Sequence, residues 1–402
     1  MGFAGAPPKS PRLTAVRAHL ETWRPYTLSY PGLVGLAGAA SGTGDPTAAG
    51  VLAAWLCPTL AWLGGHYLGD YFDRDLDAIG KPQRPLPSGR LSAATARACG
   101  LGCVLAAAAV TAAVDWTAVV AVLLALAGVV AYSRLLKGRG LLGNAVRGLL
   151  TAMAVGYGAA VSVPLGEPPS WHVLPVALAF LLHDTASNIV GTLRDTEADR
   201  AGGYRTLPVA HGPVVAVRTS ALLYAAALTV TALHLGTAAH TAAGAVLAAC
   251  AAAAGAAAFV PLLRHHAPSA RRSLRSHEVL VGERLTLAAA ILASGWGPTP
   301  ALALLLPLLA ASLLTQTRMR AGHEFPDGDG RDGGSSGAAG APTPAGSRGV
   351  RPGDTGRTGA SPAPGPAGPD GPGADTPGAG AARPAAARPS HTSPAAPPRT
   401  KG

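Results

Sequence analysis

The sequence predicts an all-α membrane protein, a polytopic bundle of ten transmembrane helices. Three observations carry that prediction. Lys and Arg are nearly absent from five long intervals, 24–74, 97–134, 147–194, 218–264 and 284–318. Each interval is long enough for two spans, which need roughly 17–25 residues apiece. Each also has a turn signal near its middle that lacks Lys and Arg, while the loops between intervals hold the basic residues.

The first interval turns at 42–46 (GTGDP), the second at Asp115-Trp116 and the third at 166–170 (GEPPS). The fourth turns between His234 and His240, and the fifth at 295–300 (GWGPTP). Five hairpins result, and the positive-inside rule then puts both termini and every basic loop on the cytoplasmic side. The last interval reads either as two short spans or as one interrupted helix. Arg318 and Arg320 at its end favour two.

The chain has 402 residues and changes composition near residue 321. Before that point Ala, Leu, Val and Gly dominate; after it, Gly, Pro, Ala, Ser and Thr do, with almost no large apolar residue. Three regions are expected: a cytoplasmic segment 1–23, a membrane domain 24–320, and a disordered tail 321–402 that cannot bury enough apolar surface to offset chain entropy. The net charge of +11 mixes these unlike regions and implies no nucleic-acid partner. The first residues hold basic side chains without the compact apolar run and cleavage site of a signal peptide. Met1-Gly2 has the look of a myristoylation start, but position six is Ala.

Four cysteines, Cys57, Cys99, Cys103 and Cys250, all lie in apolar runs. Cys99 and Cys103 are one helical turn apart, yet no nearby His and no second pair completes a tetrahedral site. They read as small apolar residues in helix packing. His265, His266, His277 and Glu278 fall in an expected cytoplasmic loop and read as solvated.

The chemistry concentrates in two stretches. At 69–92 the chain reads GDYFDRDLDAIGKPQRPLPSGRLS. Asp70, Asp73 and Asp77, spaced three and four apart, share one helix face, and Asp75 falls off it. Lys81, Arg84 and Arg90 follow in a loop stiffened by Pro82, Pro85 and Pro87. Acids that can hold a cation, followed at once by bases that can hold an anion, point to a metal-bridged phosphate site. The second stretch, 195–208, reads DTEADRAGGYRTLP. Asp195 and Asp199 repeat the spacing of Asp73 and Asp77, and Arg205-Thr-Leu-Pro repeats Arg84-Pro-Leu-Pro. The chain therefore holds two aspartate half-sites, expected to face each other.

The first stretch resembles the Asn-Asp-x-x-Asp-x-x-x-Asp motif of the UbiA superfamily of intramembrane prenyltransferases, and KPQRPLPSGRLS resembles the loop that follows it there. The second stretch is similar to that family's Asp-x-x-x-Asp motif. Tyr132-Ser133, Lys137 and Gly143-Asn144 match its segment after the fourth helix, and Arg24-Pro25 its entry to the first. The matches run in the family's order over residues 20 to 290. The resemblance implies nine helices around a central cavity that opens laterally to lipid. It also implies Mg2+ as cofactor, a prenyl diphosphate donor and an aromatic or other lipophilic acceptor. Gly69 stands where the family has Asn, and Gly80 where its loop has Asn.

Candidate metal ligands are Asp70, Asp73, Asp77, Asp195 and Asp199, with Asp73 and Asp195 central to catalysis. By resemblance Lys137 contacts the diphosphate, with Arg24, Arg84 and Arg205 as further contacts. Tyr132 faces the allylic cation, where an aromatic ring is stabilising, or else anchors the membrane interface. His66 lies one turn before Asp70 on the acidic face and reads as a pocket residue. Asn188 shares a helix face with Thr192, Asp195 and Asp199. His183 and Asp184 lie deep in an apolar run, either as an acceptor pocket with a proton-accepting base or as an interhelical hydrogen bond. Three functions fit these residues: prenyl transfer, terpene cyclisation by the same ionisation, and non-catalytic lipid binding or transport. Acid clusters at helix ends, beside anion-binding loops, favour the enzymes over a carrier.

Overall fold

The structure, a computed structural model, describes residues 11–42, 45–165 and 167–325. Among these there are thirteen α-helices and no β-strand. The first three form the entry. Helix α1 (Pro11–Trp23) ends at Arg24, whose φ of 48° is left-handed, and short α2 (Pro25–Leu28) and α3 (Tyr30–Ala40) follow. An L-residue in that conformation costs about 1–2 kcal/mol. The Arg24 side chain holds it in place through bonds to Asp70 and His323.

The remaining helices are α4 (Ala48–Gly80), α5 (Ala93–Val114), α6 (Val119–Ala131), α7 (Leu141–Ser162), α8 (Val173–Arg194), α9 (Thr196–Ala201), α10 (Leu207–Leu235), α11 (Thr241–Leu263), α12 (Ala270–Trp296) and α13 (Pro298–Glu324). Starts follow their caps: Thr47 accepts from the Gly50 N–H, Ser92 from Thr95 and Ser269 from Arg272. All five predicted turns fall between partners of a pair: α3/α4, α5/α6, α7/α8, α10/α11 and α12/α13.

The expected ten spans are corrected to nine. Among the described residues nine helical stretches are long and apolar enough to cross a membrane. The missing one is α3, which has eleven residues, all buried. The chain turns at Arg24 and again at Ser29, and Pro31 removes a helical donor, so the first run begins as short pieces. The doubtful last interval is two spans that meet at Gly297, where φ is 89°. Helix α13 continues through Glu324, past the expected domain edge at 320. The expected tail beyond residue 325 lies outside the described residues, as do residues 1–10 of the expected N-terminal segment. Residues 11–23 are helical.

Helices α3, α7, α8 and α12 form the middle of the bundle. Small residues let their backbones meet. A Cβ on Gly158 of α7 would lie 1.9 Å from the Gly35 carbonyl oxygen of α3, so glycine is required there. Helix α6 is the opposite case: Val122 is its buried residue, while Leu123 and Leu124 are exposed. Its apolar surface is what a lipid-facing helix presents.

Candidate active site

The C-terminal end of α4 meets α9, the short helix that follows α8, because the chain puts a glycine where they touch. A Cβ on Gly80 would lie 2.6 Å from the Ala198 Cβ of α9. The acid half-sites are then bridged by bases. Lys81 Nζ is 2.9 Å from an Asp195 oxygen, and Arg84 donates to both Asp77 oxygens at 3.0 Å. Lys137 Nζ is 2.6 Å from Asp73, and Arg24 is 2.5 Å from Asp70. Arg194 forms a fork on Asp195 at 2.9 Å.

A π-helical turn, Tyr132–Leu136, delivers Lys137. The Lys137 N–H bonds the Tyr132 carbonyl oxygen at 2.8 Å, one residue beyond α-helical spacing. The wider turn sends both Tyr132 and Lys137 toward the acids, and both line the cavity. Helix α8 stops at Arg194 and α9 starts at Thr196, so the single helix face expected for Asn188, Thr192, Asp195 and Asp199 is broken at Asp195. The Asp199 N–H still bonds the Asp195 carbonyl oxygen at 2.8 Å.

The two acids of this motif differ electrostatically. Burial alone would raise the Asp195 carboxyl, but Arg194 and Lys81 outweigh it and hold it below the carboxylate range. Burial, then the Asp195 charge, pushes Asp199 up to about 6. For Lys137 burial works against the cation, and Asp73 outweighs it to raise the ammonium above its usual value.

Among the described residues no three His, Cys, Asp or Glu side chains cluster closely enough to hold a metal ion by themselves. Asp70, Asp73, Asp77 and Asp195 are each paired with a base instead. Two buried carboxylate oxygens, Asp70 Oδ2 and Asp73 Oδ1, nonetheless lack any partner. Unpartnered anionic oxygens on adjacent turns of one helix are donors suited to a divalent cation, so the residues fit one.

Behind the acids lie two connected spaces. One is polar, with Asp70, Asp73, Asp184, Asn188 and Arg284 on its walls. The other is apolar, running between α4, α6 and α7 to Cys57, Val104 and Tyr157. Trp62, His66 and Arg147 line both.

The sequence-selected residues sort as follows. His66 is 3.0 Å from the Trp23 carbonyl oxygen and edge-on to Trp62, so it lines the pocket and locks the entry. The Asn188 amide donates to Asn144 at 2.8 Å. His183 and Asp184 divide their two readings. His183 is fully buried against Glu283 of α12 at 2.6 Å, an interhelical bond. Asp184 accepts from the Tyr30 and Thr151 hydroxyls and lines the polar cavity. The Arg205 side chain is exposed, and its backbone bridges Gly138 and Gly140. His277, expected in a solvated loop, sits on α12 with Nδ1 2.7 Å from Arg320.

Sequence reasoning missed Glu324. Its carboxylate accepts from Lys81 at 3.0 Å, Arg84 at 3.1 Å and Arg194 at 3.0 Å. A lone acid just before a low-complexity stretch offered no pattern.

The profile of the UbiA prenyltransferase family matches residues 28–279. The chain belongs to that family. A digeranylgeranylglyceryl phosphate synthase of Methanopyrus kandleri is 36% identical over 220 residues, which cover 54% of this chain and 77% of the relative. One from Ignicoccus hospitalis is 34% identical over 222 residues, covering 53% and 70%. Among solved structures, the apo UbiA homologue of Aeropyrum pernix K1 superposes with a TM-score of 0.57 at 20% identity, over 66% of this chain and 96% of that one. A structure of digeranylgeranylglyceryl phosphate synthase in membranes gives 0.52 at 20%, over 70% and 98%. These neighbours share the UbiA fold: an all-helical, multi-pass membrane bundle. The chain is thus a prenyltransferase by family.

Proposed function

We propose that this protein transfers a prenyl group from a prenyl diphosphate to a lipophilic acceptor inside the membrane, with Mg2+ as cofactor. The observation that carries the reading is the pair of aspartate half-sites, joined by the Lys81–Asp195 ion pair and seated beside an apolar chamber. Asp70 and Asp73, with Asp77, Asp195 and Asp199, are the residues that would hold Mg2+. When bound, Mg2+ supplies a Lewis acid that offsets the charge gathering on the leaving diphosphate.

The chain's own residues do the rest. Lys137, Arg84, Lys81 and Arg194 exchange carboxylate partners for diphosphate oxygens. The chamber between α4, α6 and α7 takes the prenyl chain and keeps water from the allylic cation. Tyr132 offers a ring face to that cation. The carbon–oxygen bond to diphosphate breaks, a bond to the acceptor forms, and the acceptor's proton passes to Asp184 on the cavity wall. The relatives are named for a glyceryl phosphate lipid, so a lipid alcohol is the first acceptor to try. The basic loops that border the acid motifs support a cytoplasmic placement of this end of the bundle.

The test is diphosphate release from a series of prenyl diphosphates, with Mg2+, by the full chain in lipid nanodiscs. Release that disappears in Asp73→Ala and Asp195→Ala supports the reading. Release unchanged in both overturns it. Product mass with and without acceptor separates transfer from cyclisation.

A further inference from the structure

Behind the cavity wall, the bundle interior holds a second row of ionisable groups. Asp184 of α8 is on the wall. Its neighbour in the chain, His183, is fully buried and reaches α12, where its Nε2 lies 2.6 Å from Glu283 Oε2. The other Glu283 oxygen accepts from the Tyr224 hydroxyl of α10 at 3.0 Å. That hydroxyl also lies 3.1 Å from the Ala251 carbonyl oxygen of α11. Four helices thus meet at one imidazole and one carboxylate. Tyr224 packs in an apolar cluster with Val190, Phe259 and Leu280.

Packing alone does not call for such a group. Apolar residues of similar volume commonly serve as well as a buried ion pair, or better. Ionisable pairs inside a membrane protein mark binding sites and proton paths. Among the described residues, Glu283 has His183 as its one ion-pair partner.

The distances place the imidazole proton. The short contact at Nε2 needs a shared hydrogen. At Nδ1, Asp184 Oδ1 is 3.4 Å away, longer than the ~2.7–2.9 Å of a charge-assisted bond. Nε2 therefore carries the hydrogen, and the Nδ1 lone pair faces Asp184. A carboxylate on one ring nitrogen enforces that tautomer. Asp184 is itself held from two sides, by the Tyr30 hydroxyl of α3 at 2.9 Å and by the Thr151 hydroxyl of α7.

We propose that His183, held by Glu283 and Tyr224, takes over the acceptor's proton from Asp184. All three are positioning residues, since they act on the substrates only through Asp184. The inference rests on the proposed transfer reaction. As the acceptor oxygen bonds to the prenyl carbon, its O–H bond breaks and the proton goes to Asp184. Asp184 passes a proton to the His183 Nδ1 lone pair. The carboxylic acid returns to carboxylate, the imidazole becomes imidazolium, and the Glu283 carboxylate balances the new charge. Asp184 then faces the product as an anion and does not return the proton to it. Once the product has left, the proton goes back through Asp184 to the cavity.

Product formation by the full chain in nanodiscs, with a prenyl diphosphate and Mg2+, tests this. Two acceptors are compared: a prenyl glyceryl phosphate, and the same lipid with fluorine beside the reacting hydroxyl, which gives up its proton more readily. Glu283→Gln keeps acceptors for His183 and Tyr224 and removes the charge. The expected result is a kcat lowered by about ten-fold or more, with donor and acceptor KM unchanged. The loss should be smaller with the fluorinated acceptor, and Glu283→Asp should recover part of it. His183→Gln should show the same split. If His183→Gln does not fold, Glu283→Gln decides alone. A loss equal for both acceptors, or one carried by KM, overturns the proposal, because an interhelical bond without a proton role would act that way. So does a wild-type rate in Glu283→Gln. A wild-type protein that releases diphosphate but forms no prenylated lipid overturns the transfer reading itself, and the relay with it.

Discussion

The Glu324 carboxylate lies 3.0 Å from the Lys81 ammonium, at the end of the last membrane helix. Arg84 and Arg194 close around the same carboxylate. An internal anion therefore occupies the bases that the diphosphate needs. Glu324→Gln removes that competition. The expected result is inhibition by inorganic diphosphate that is three-fold tighter or more, together with a lower Tm. The stability cost is about 1–3 kcal/mol, that of leaving buried donors short of a charged partner. Weaker diphosphate inhibition would show that Glu324 organises the bases rather than competing for them.

Lys137 reaches the acids through the π-helical turn and pairs with Asp73. Lys137→Ala should lower kcat by about a hundred-fold, the usual loss for one electrostatic group at a developing charge. Single-turnover assays with saturating donor would check it. An unchanged kcat with a raised KM would assign Lys137 to ground-state binding alone.

Gly80 is where α4 touches α9. Gly80→Ala puts a methyl group against Ala198 and should cost about 1–3 kcal/mol as overpacking. It should also raise the donor KM, because the half-sites are pushed apart. Thermal unfolding and initial rates read the two effects separately. A variant with the wild-type Tm and KM would mean that the contact has slack.

Gly69 is the reverse case. A Cβ there meets nothing within 4 Å, and the residue lines the polar cavity. Gly69→Asn should fold normally and gain a few tenths of a kcal/mol in helix propensity. With an added amide oxygen beside Asp70 and Asp73, the Mg2+ concentration for half-maximal rate should fall. A titration of rate against Mg2+ gives the answer; no change would mean the acids already suffice.

Much of this was readable from the chain. The turns are where the basic residues are missing, and the Asp73/Asp77 and Asp195/Asp199 spacings marked both half-sites. Long-range partners were not readable. Glu324 meets Arg194 across 130 residues, and no motif marks Glu324. Arg147 and Arg284 were taken as borders of membrane intervals, because a lone arginine in an apolar run looks like an edge. Both lie inside α7 and α12, where aromatic faces stand in for water. Arg205 looked like the twin of Arg84. A repeat in sequence does not repeat the backbone, and at Arg205 the main chain is spent on bridging Gly138 and Gly140.

Helix α6 has one further consequence. It is the wall between the apolar chamber and the outside, one helix thick, with Val122 turned in and Leu123 and Leu124 turned out. A long-chain substrate dissolved in the bilayer meets this wall by two-dimensional diffusion and has no need of the aqueous phase. The concentration that should govern turnover is then the substrate's mole fraction in the lipid. Adding inert phospholipid at constant bulk substrate would slow the reaction, and adding water at constant lipid composition would not.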